Sequence, residues 1–146
     1  MSAEVLIASF LRIAREDLDA ARLLAPARNR NTIYHCEQAA EKIIRAVLTS
    51  EGIPGRISHE LEDLIDPIPD DNPIKPVLRG TAYLAAYATS YRYPTQPRGR
   101  IRATPQALEL QDAIDKVAAA LTEVAERFGV DLDHPDTPAR RPGPIR

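Results

Sequence analysis

The chain has 146 residues, a formal net charge of −2, 44% hydrophobic residues and 27% charged residues. That is the length of one domain with its own core, and the composition of a globular protein rather than of a disordered chain. No apolar run approaches the roughly 20 residues needed to span a bilayer, so a membrane protein is excluded as an expectation.

The start, MSAEVLIASFLRIARED, has helical periodicity and early acid. It lacks the basic start, apolar run and small-residue cleavage site of a signal peptide, and the expected location is cytoplasmic. A first helix is predicted over Ala3–Leu24, with Ile7, Leu11, Ala14, Leu18 and Ala21 on one face and Phe10 beside them. Arg12, Arg15, Glu16, Asp19 and Arg22 face away, while Asp17 falls at the edge, as a solvated boundary residue or as a buried pair-former. PARNRN makes a short basic turn into a second helix, drawn from the stretch Thr32–Gly52. Here Ile33, Cys36, Ala40, Ile43 and Val47 alternate at steps of three and four, and Ile44 and Leu48 widen the stripe to that of a helix packed in a bundle. Glu37 and Glu41 lie at the edge of this stripe, where a carboxylate needs either a partner or a path to water. Cys36 is the chain's one cysteine; on the apolar face it reads as a buried structural thiol and not as a nucleophile.

EGIPG ends the second helix through glycine and proline. Ser58 is the expected N-cap of a short third helix, HELEDLI, whose early acids complement the helix dipole. DPIPDDNP reads as loop, and a fourth helix is predicted from Asn72-Pro73 or Lys75-Pro76 onward, with Leu78, Thr81, Ala85 and Ala88 inward. It ends before YRYPTQPRGRIRA, a loop rich in Arg and Pro. Thr104-Pro105 is the predicted start of a last helix carrying Leu110, Ile114, Val117, Leu121, Val124 and Phe128, closed by Gly129. The expected fold is all-α, an up-and-down four-helix bundle with an additional short helix over residues 1–129, followed by a Pro-rich, flexible tail over 130–146. No stretch alternates at period two, so no sheet is expected.

Charge is unevenly placed. From Asn72 to Leu108 there is no Asp or Glu, while Lys75, Arg79, Arg92, Arg98, Arg100 and Arg102 fall there. A basic stretch in an acidic chain points to a local anion site, not to general coating of nucleic acid. Metal chemistry finds no support: His35, His59 and His134 have no short ligand spacing, and HExxH, CxxC and a glycine-rich phosphate loop are all missing. No metal and no cofactor is expected. What remains is Tyr91-Arg92-Tyr93-Pro94 with the arginines after it. An Arg fork binds phosphate bidentately and aromatic faces stack on bases, which makes Arg92, Tyr91, Tyr93, Arg98 and Arg100 candidates for binding a nucleotide or single-stranded RNA. The alternative is structural: the two tyrosines pack the helix end and Arg92 pairs with Glu37 or Glu41. The last candidate is His59, at the start of the third helix, as a structural or a proton-transfer residue.

HCEQAAEKIIRAVLTSEG, then SHELEDLI, then YRYP, with REDLDAARLL before them and a long helix after, resembles the HEPN domain family of prokaryotes and higher eukaryotes. The likeness runs from about Arg15 to about Phe128. It implies the helical bundle, a homodimer, and a polar cluster of Glu41, His59 and Arg92 supported by Glu37. The family includes RNA-cleaving toxins, nucleotide binders and inactive versions, and such proteins often work beside a small nucleotidyltransferase in a toxin–antitoxin-like pair. The RNA-cleaving members carry Arg, four to six residues, then His near the place of Arg92; here Arg92 is followed by Tyr-Pro-Thr-Gln-Pro-Arg and the His is missing. The resemblance therefore implies a nucleotide- or RNA-binding module, with a metal-independent ribonuclease toxin and a non-catalytic scaffold as the alternatives. Whether it is an enzyme stays open, with His59 and Arg92 as the catalytic candidates.

Overall fold

In the computed structural model of the chain, residues 2–58, 60–94, 99–134 and 137–142 are described. Among them are six α-helices and no strand: α1 (Ala3–Leu24), α2 (Asn31–Ser50), α3 (Leu61–Ile65), α4 (Lys75–Arg79), α5 (Leu84–Arg92) and α6 (Ala107–Arg127). A 3₁₀ turn over Ala25–Ala27 joins α1 to α2. The all-α bundle expected from the periodicity is the fold.

The centre is α2. Eleven of its twenty residues are buried, among them Ile33, Cys36, Ala39, Ala40, Ile43, Ile44 and Val47. It packs along α1 and is flanked by α5 and α6. Ile7, Leu11, Ala14, Leu18 and Ala21 of α1 are buried, and so are Leu110, Ile114, Val117, Leu121 and Val124 of α6, as their spacing predicts. Burying a Leu or Ile side chain contributes about 1.5–3 kcal/mol, so this core dominates the stabilising side of the balance. Burial also pushes the Cys36 thiol up to about 12, out of range for a nucleophile.

The helix ends follow local rules. Gly52 has φ +70°, and the Ile53 and Gly52 amides donate to Leu48 O (3.0 Å) and Thr49 O (3.1 Å). Gly129, at φ +61°, repeats the motif behind α6, with Val130 N donating to Ala125 O at 2.9 Å. Three expectations shift. The fourth helix is broken into α4 and α5, because residues 80–84 tighten into bonds such as Thr81 N to Leu78 O (2.9 Å), and the Thr81 hydroxyl donates to the same carbonyl (2.7 Å). The last helix starts at Ala107 rather than Pro105: Gln106 is extended, and the Pro105 carbonyl is taken by the Arg28 guanidinium (3.1 and 3.2 Å). Ser58 is not the N-cap of α3. Glu60 holds that position, while the Ser58 hydroxyl accepts from Glu60 N (3.1 Å) and donates to Asp63 (3.2 Å).

The described part of the tail lies on the bundle. Ala139 N donates to Glu4 O (3.0 Å), Arg141 pairs with Glu4 (3.0 Å), and Arg12 donates to the carbonyls of Asp131, His134 and Thr137 (3.2, 2.6 and 2.7 Å). Ala82, Ala85 and Ala88 are buried within the chain, while Ala86 is exposed.

Replacing Ile43 by Ala in the centre of α2 is expected to cost about 2–5 kcal/mol, read as a lowered urea midpoint at unchanged slope. Cys36 is expected to resist thiol reagents at pH 8 in the folded chain and to label fully once the chain is unfolded in urea; equal labelling of both would show the site to be open.

Candidate functional site: a cleft between two helices

Because α2 is buried on most sides, its charged residues are confined to one ribbon. Tyr34, Glu37, Gln38 and Glu41 share that ribbon at helical spacing, and Ala85, Ala88, Thr89 and Arg92 of α5 face them. Between the two stripes opens a cleft of about 450 Å³.

Arg92, the last residue of α5, is exposed. Its guanidinium lies 4.1 Å from the centre of the Tyr34 ring and 5.3 Å from that of Tyr93. The backbone accounts for this arrangement. Pro94 disfavours a helical conformation at the residue before it, so Tyr93 is extended (φ −122°, ψ 145°) and its ring turns back over Arg92. Among the described residues Arg92 makes no hydrogen bond or ion pair; its contacts are the two rings. The opposite wall is acidic. Glu37 is buried and its Oε2 accepts from the Gln38 amide (2.9 Å); Glu41 pairs along the helix with Arg45 (3.5 Å). The ion pair of Arg92 with Glu37 or Glu41, the structural alternative, is not among these contacts.

Tyr91 points elsewhere. One helical step from Arg92, it is buried on the α6 side, donates its hydroxyl to Glu109 (3.3 Å), and has its pKa raised, mainly by desolvation. Arg102 lies over its ring at 4.2 Å, reaches Tyr87 at 5.1 Å and donates to the Ser90 hydroxyl (2.6 Å). Tyr83, Tyr87 and Tyr91 form an edge-to-face ladder along α5, with centroids 5.5 and 5.7 Å apart. At its far end Tyr83 is pushed up to about 12 by burial and then by Asp112, and Lys116 covers its ring at 4.9 Å. This second set of tyrosines and cations braces α5 against α6. Arg100 is exposed, is engaged in contacts of its own and does not line the cleft. His59 and Arg98 lie outside the described residues, so the cluster of Glu41 and Arg92 with His59 rests on the sequence alone.

The cleft is thus lined by Arg92, Tyr93, Glu37 and Glu41 from the expected set, together with Tyr34 and Gln38. Sequence reasoning missed these two, although Tyr34 precedes Glu37 by three residues and Glu41 by seven, and a helical wheel shows the match. Asp17 proves a pair-former: it bridges His35 (3.3 Å) and Lys42 across α1 and α2. His35 meets the Tyr34 ring edge-on at 5.3 Å, and the tail's His134 pairs with Asp131 (2.5 Å). Among the described residues no histidine lines the cleft, and none of their His, Cys, Asp or Glu side chains group into a metal-holding set. No described helix is long and apolar enough to cross a membrane.

A helical bundle with an arginine-and-tyrosine cleft beside its central helix defines the class of protein. The particular family follows from comparison: the model of the HEPN domain matches residues 7–127, and the chain belongs to the HEPN domain family. No curated protein and no solved structure matches it.

If Arg92 serves a ligand and not the fold, replacing it by Ala should cost less than about 1 kcal/mol of folding free energy, the scale of an exposed cation–ring contact. Urea unfolding measures this. A loss of several kcal/mol would make Arg92 a structural residue.

Proposed function

We propose that this HEPN protein is a nucleotide- or RNA-binding module whose ligand places a phosphate on Arg92. The observation that carries the reading is the exposed guanidinium held between the Tyr34 and Tyr93 rings at the mouth of the cleft. A guanidinium already oriented by two rings and not committed to a carboxylate loses little freedom on meeting a phosphate, and the exposed face of Tyr93 suits a base. The ribonuclease alternative requires a proton-transfer group near that phosphate, which no described histidine of the cleft supplies. A homodimer, a small nucleotidyltransferase partner and a toxin–antitoxin-like role in a prokaryotic cytoplasm belong to the same reading; membership of the family supports them, and the cleft does not bear on them.

The test is calorimetric titration with ATP, GTP and a short single-stranded RNA, beside Arg92→Ala. Binding is expected, and the variant should weaken it about ten- to a hundredfold, as for a lost charge-assisted hydrogen bond. Cleavage of the RNA in EDTA by wild type and not by the variant would replace binding with metal-independent catalysis. Absence of any binding would leave the scaffold reading.

A further inference from the structure

One end of the bundle gathers positive charge that no carboxylate among the described residues neutralises. The 3₁₀ turn sets the end of α1 beside the start of α2, and Arg92 brings the end of α5 onto Tyr34 in the first turn of α2. Arg28 draws the chain before α6 to the same end through the Pro105 carbonyl. Arg28, Arg30, Arg92 and Arg102 meet there. Among the described residues their polar contacts are all with neutral groups: Arg28 donates to Pro105 O, Arg30 to Arg102 O (2.8 Å) and Arg102 to the Ser90 hydroxyl, while Arg92 and Arg102 lie on tyrosine rings. The carboxylates on the same helix ends are taken elsewhere, Asp19 by Arg15 and Arg22 (3.7 and 3.6 Å) and Glu109 by the Tyr91 hydroxyl.

A carbonyl takes one or two of the five N–H groups of a guanidinium and none of its charge. Arg30 commits only Nη1, and Arg28 only Nε and Nη2, so both hold the chain in place and keep donors for a further acceptor. Arg28 and Arg92 are exposed, and Arg30 is half-buried. They also follow one another across the end of the bundle: Arg92 lies on Tyr34, Arg30 stands one helical turn before Tyr34, and Arg28 two residues before that. Several charges spaced in this way are more than one nucleotide can use. They suit a ligand that repeats a negative charge along its length. A chain of phosphates and a chain of carboxylates both repeat a charge, and Tyr93 distinguishes them. It is 58% exposed beside Arg92, and its ring offers a stacking face, which a base can use and an aspartate or glutamate side chain cannot.

Building on the phosphate assigned to Arg92 above, we propose that the ligand is a single strand of RNA rather than a free nucleotide, and that its backbone crosses this end of the bundle with phosphates on Arg92, Arg30 and Arg28.

The experiment titrates the full chain calorimetrically with UMP, with the dodecanucleotide U12 and with an octa-aspartate peptide, at KCl concentrations from 50 to 200 mM. U12 is expected to bind at least about a hundredfold more tightly than UMP, about tenfold for each of two further charge-assisted contacts. Its log affinity should fall with log salt at a slope of about −2, from about −0.7 for each of three phosphates. Arg30→Gln and Arg28→Gln keep a donor for the backbone carbonyl and lose the charge; each should weaken U12 about tenfold and bring the slope to about −1.4. Arg30→Lys, which keeps the charge, should keep the slope. Circular dichroism melting checks the fold of the variants. U12 that binds no more tightly than UMP, or with the slope of a single phosphate, overturns the proposal whether or not a variant folds. If Arg92→Ala still weakens UMP, phosphate binding at Arg92 stands without it. A wild-type slope in both folded Gln variants also overturns the proposal. Octa-aspartate bound as tightly as U12 would replace RNA with an acidic protein partner. Failure of every ligand to bind would remove the nucleotide reading and this inference together.

Discussion

The structure depends on the burial of α2. A twenty-residue helix with its apolar residues packed against α1, α5 and α6 has only a narrow ribbon left for polar side chains. Whatever charge that helix carries must be concentrated there, and the charge must be either paired or put to use. The ribbon divides into two parts. Toward α1, His35 and Lys42 settle on Asp17, a compact arrangement that satisfies the carboxylate from two sides. Toward α5, the acids face an arginine that stacks on rings instead of pairing with them. The first part holds α1 to α2; in the second Glu41 pairs with Arg45 along the helix, Glu37 accepts from Gln38 and has further contacts, and Arg92 stacks on two rings.

Much of the basic character that marks residues 72–108 is structural. Lys75 is buried and donates to the carbonyls of Asp66 and Ile68 and to Asp70, closing the loop behind α3. Arg79 is engaged by Glu62 and Asp66. Arg102 lies on two tyrosines, and its own carbonyl accepts from Arg30 (2.8 Å), while Arg28 holds Pro105. The basic turn before α2 thus anchors the chain that follows α5. Arg28 achieves this from a left-handed conformation (φ 51°) that is unusual for a side chain of its size. Beyond Arg92, Tyr93 is already extended, as the proline after it requires. The Arg92 guanidinium lies against the Tyr34 and Tyr93 rings.

The same segment carries two tyrosine–cation arrangements of opposite purpose, separated by a single helical step. Tyr91 turns inward and is buried, tying α5 to Glu109 of α6 and to Arg102 of the chain between them. Arg92 turns outward to Tyr34 and Tyr93 and stays in reach of solvent. Composition and proximity in sequence give both the appearance of one motif. The helix pitch divides them.

The sequence by itself determined the helical fold, the inward stripes of α1, α2 and α6, the glycine closures at Gly52 and Gly129, and the set from which the site is drawn. Each of these follows from periodicity or backbone permission, which act within a few residues and are legible without a neighbour. Only the tertiary structure decided what depends on which element lies opposite. It broke the fourth helix where the Thr81 hydroxyl takes a backbone carbonyl, and it delayed the last one through Arg28, whose contact with Pro105 spans 77 positions of chain. It separated Tyr91 from Tyr93, brought in Tyr34 from the second helix, and gave Glu41 to Arg45 rather than to Arg92. Such pairings are choices among many arginines and carboxylates of nearly equal local merit, and they are resolved only when packing fixes the distances between helices.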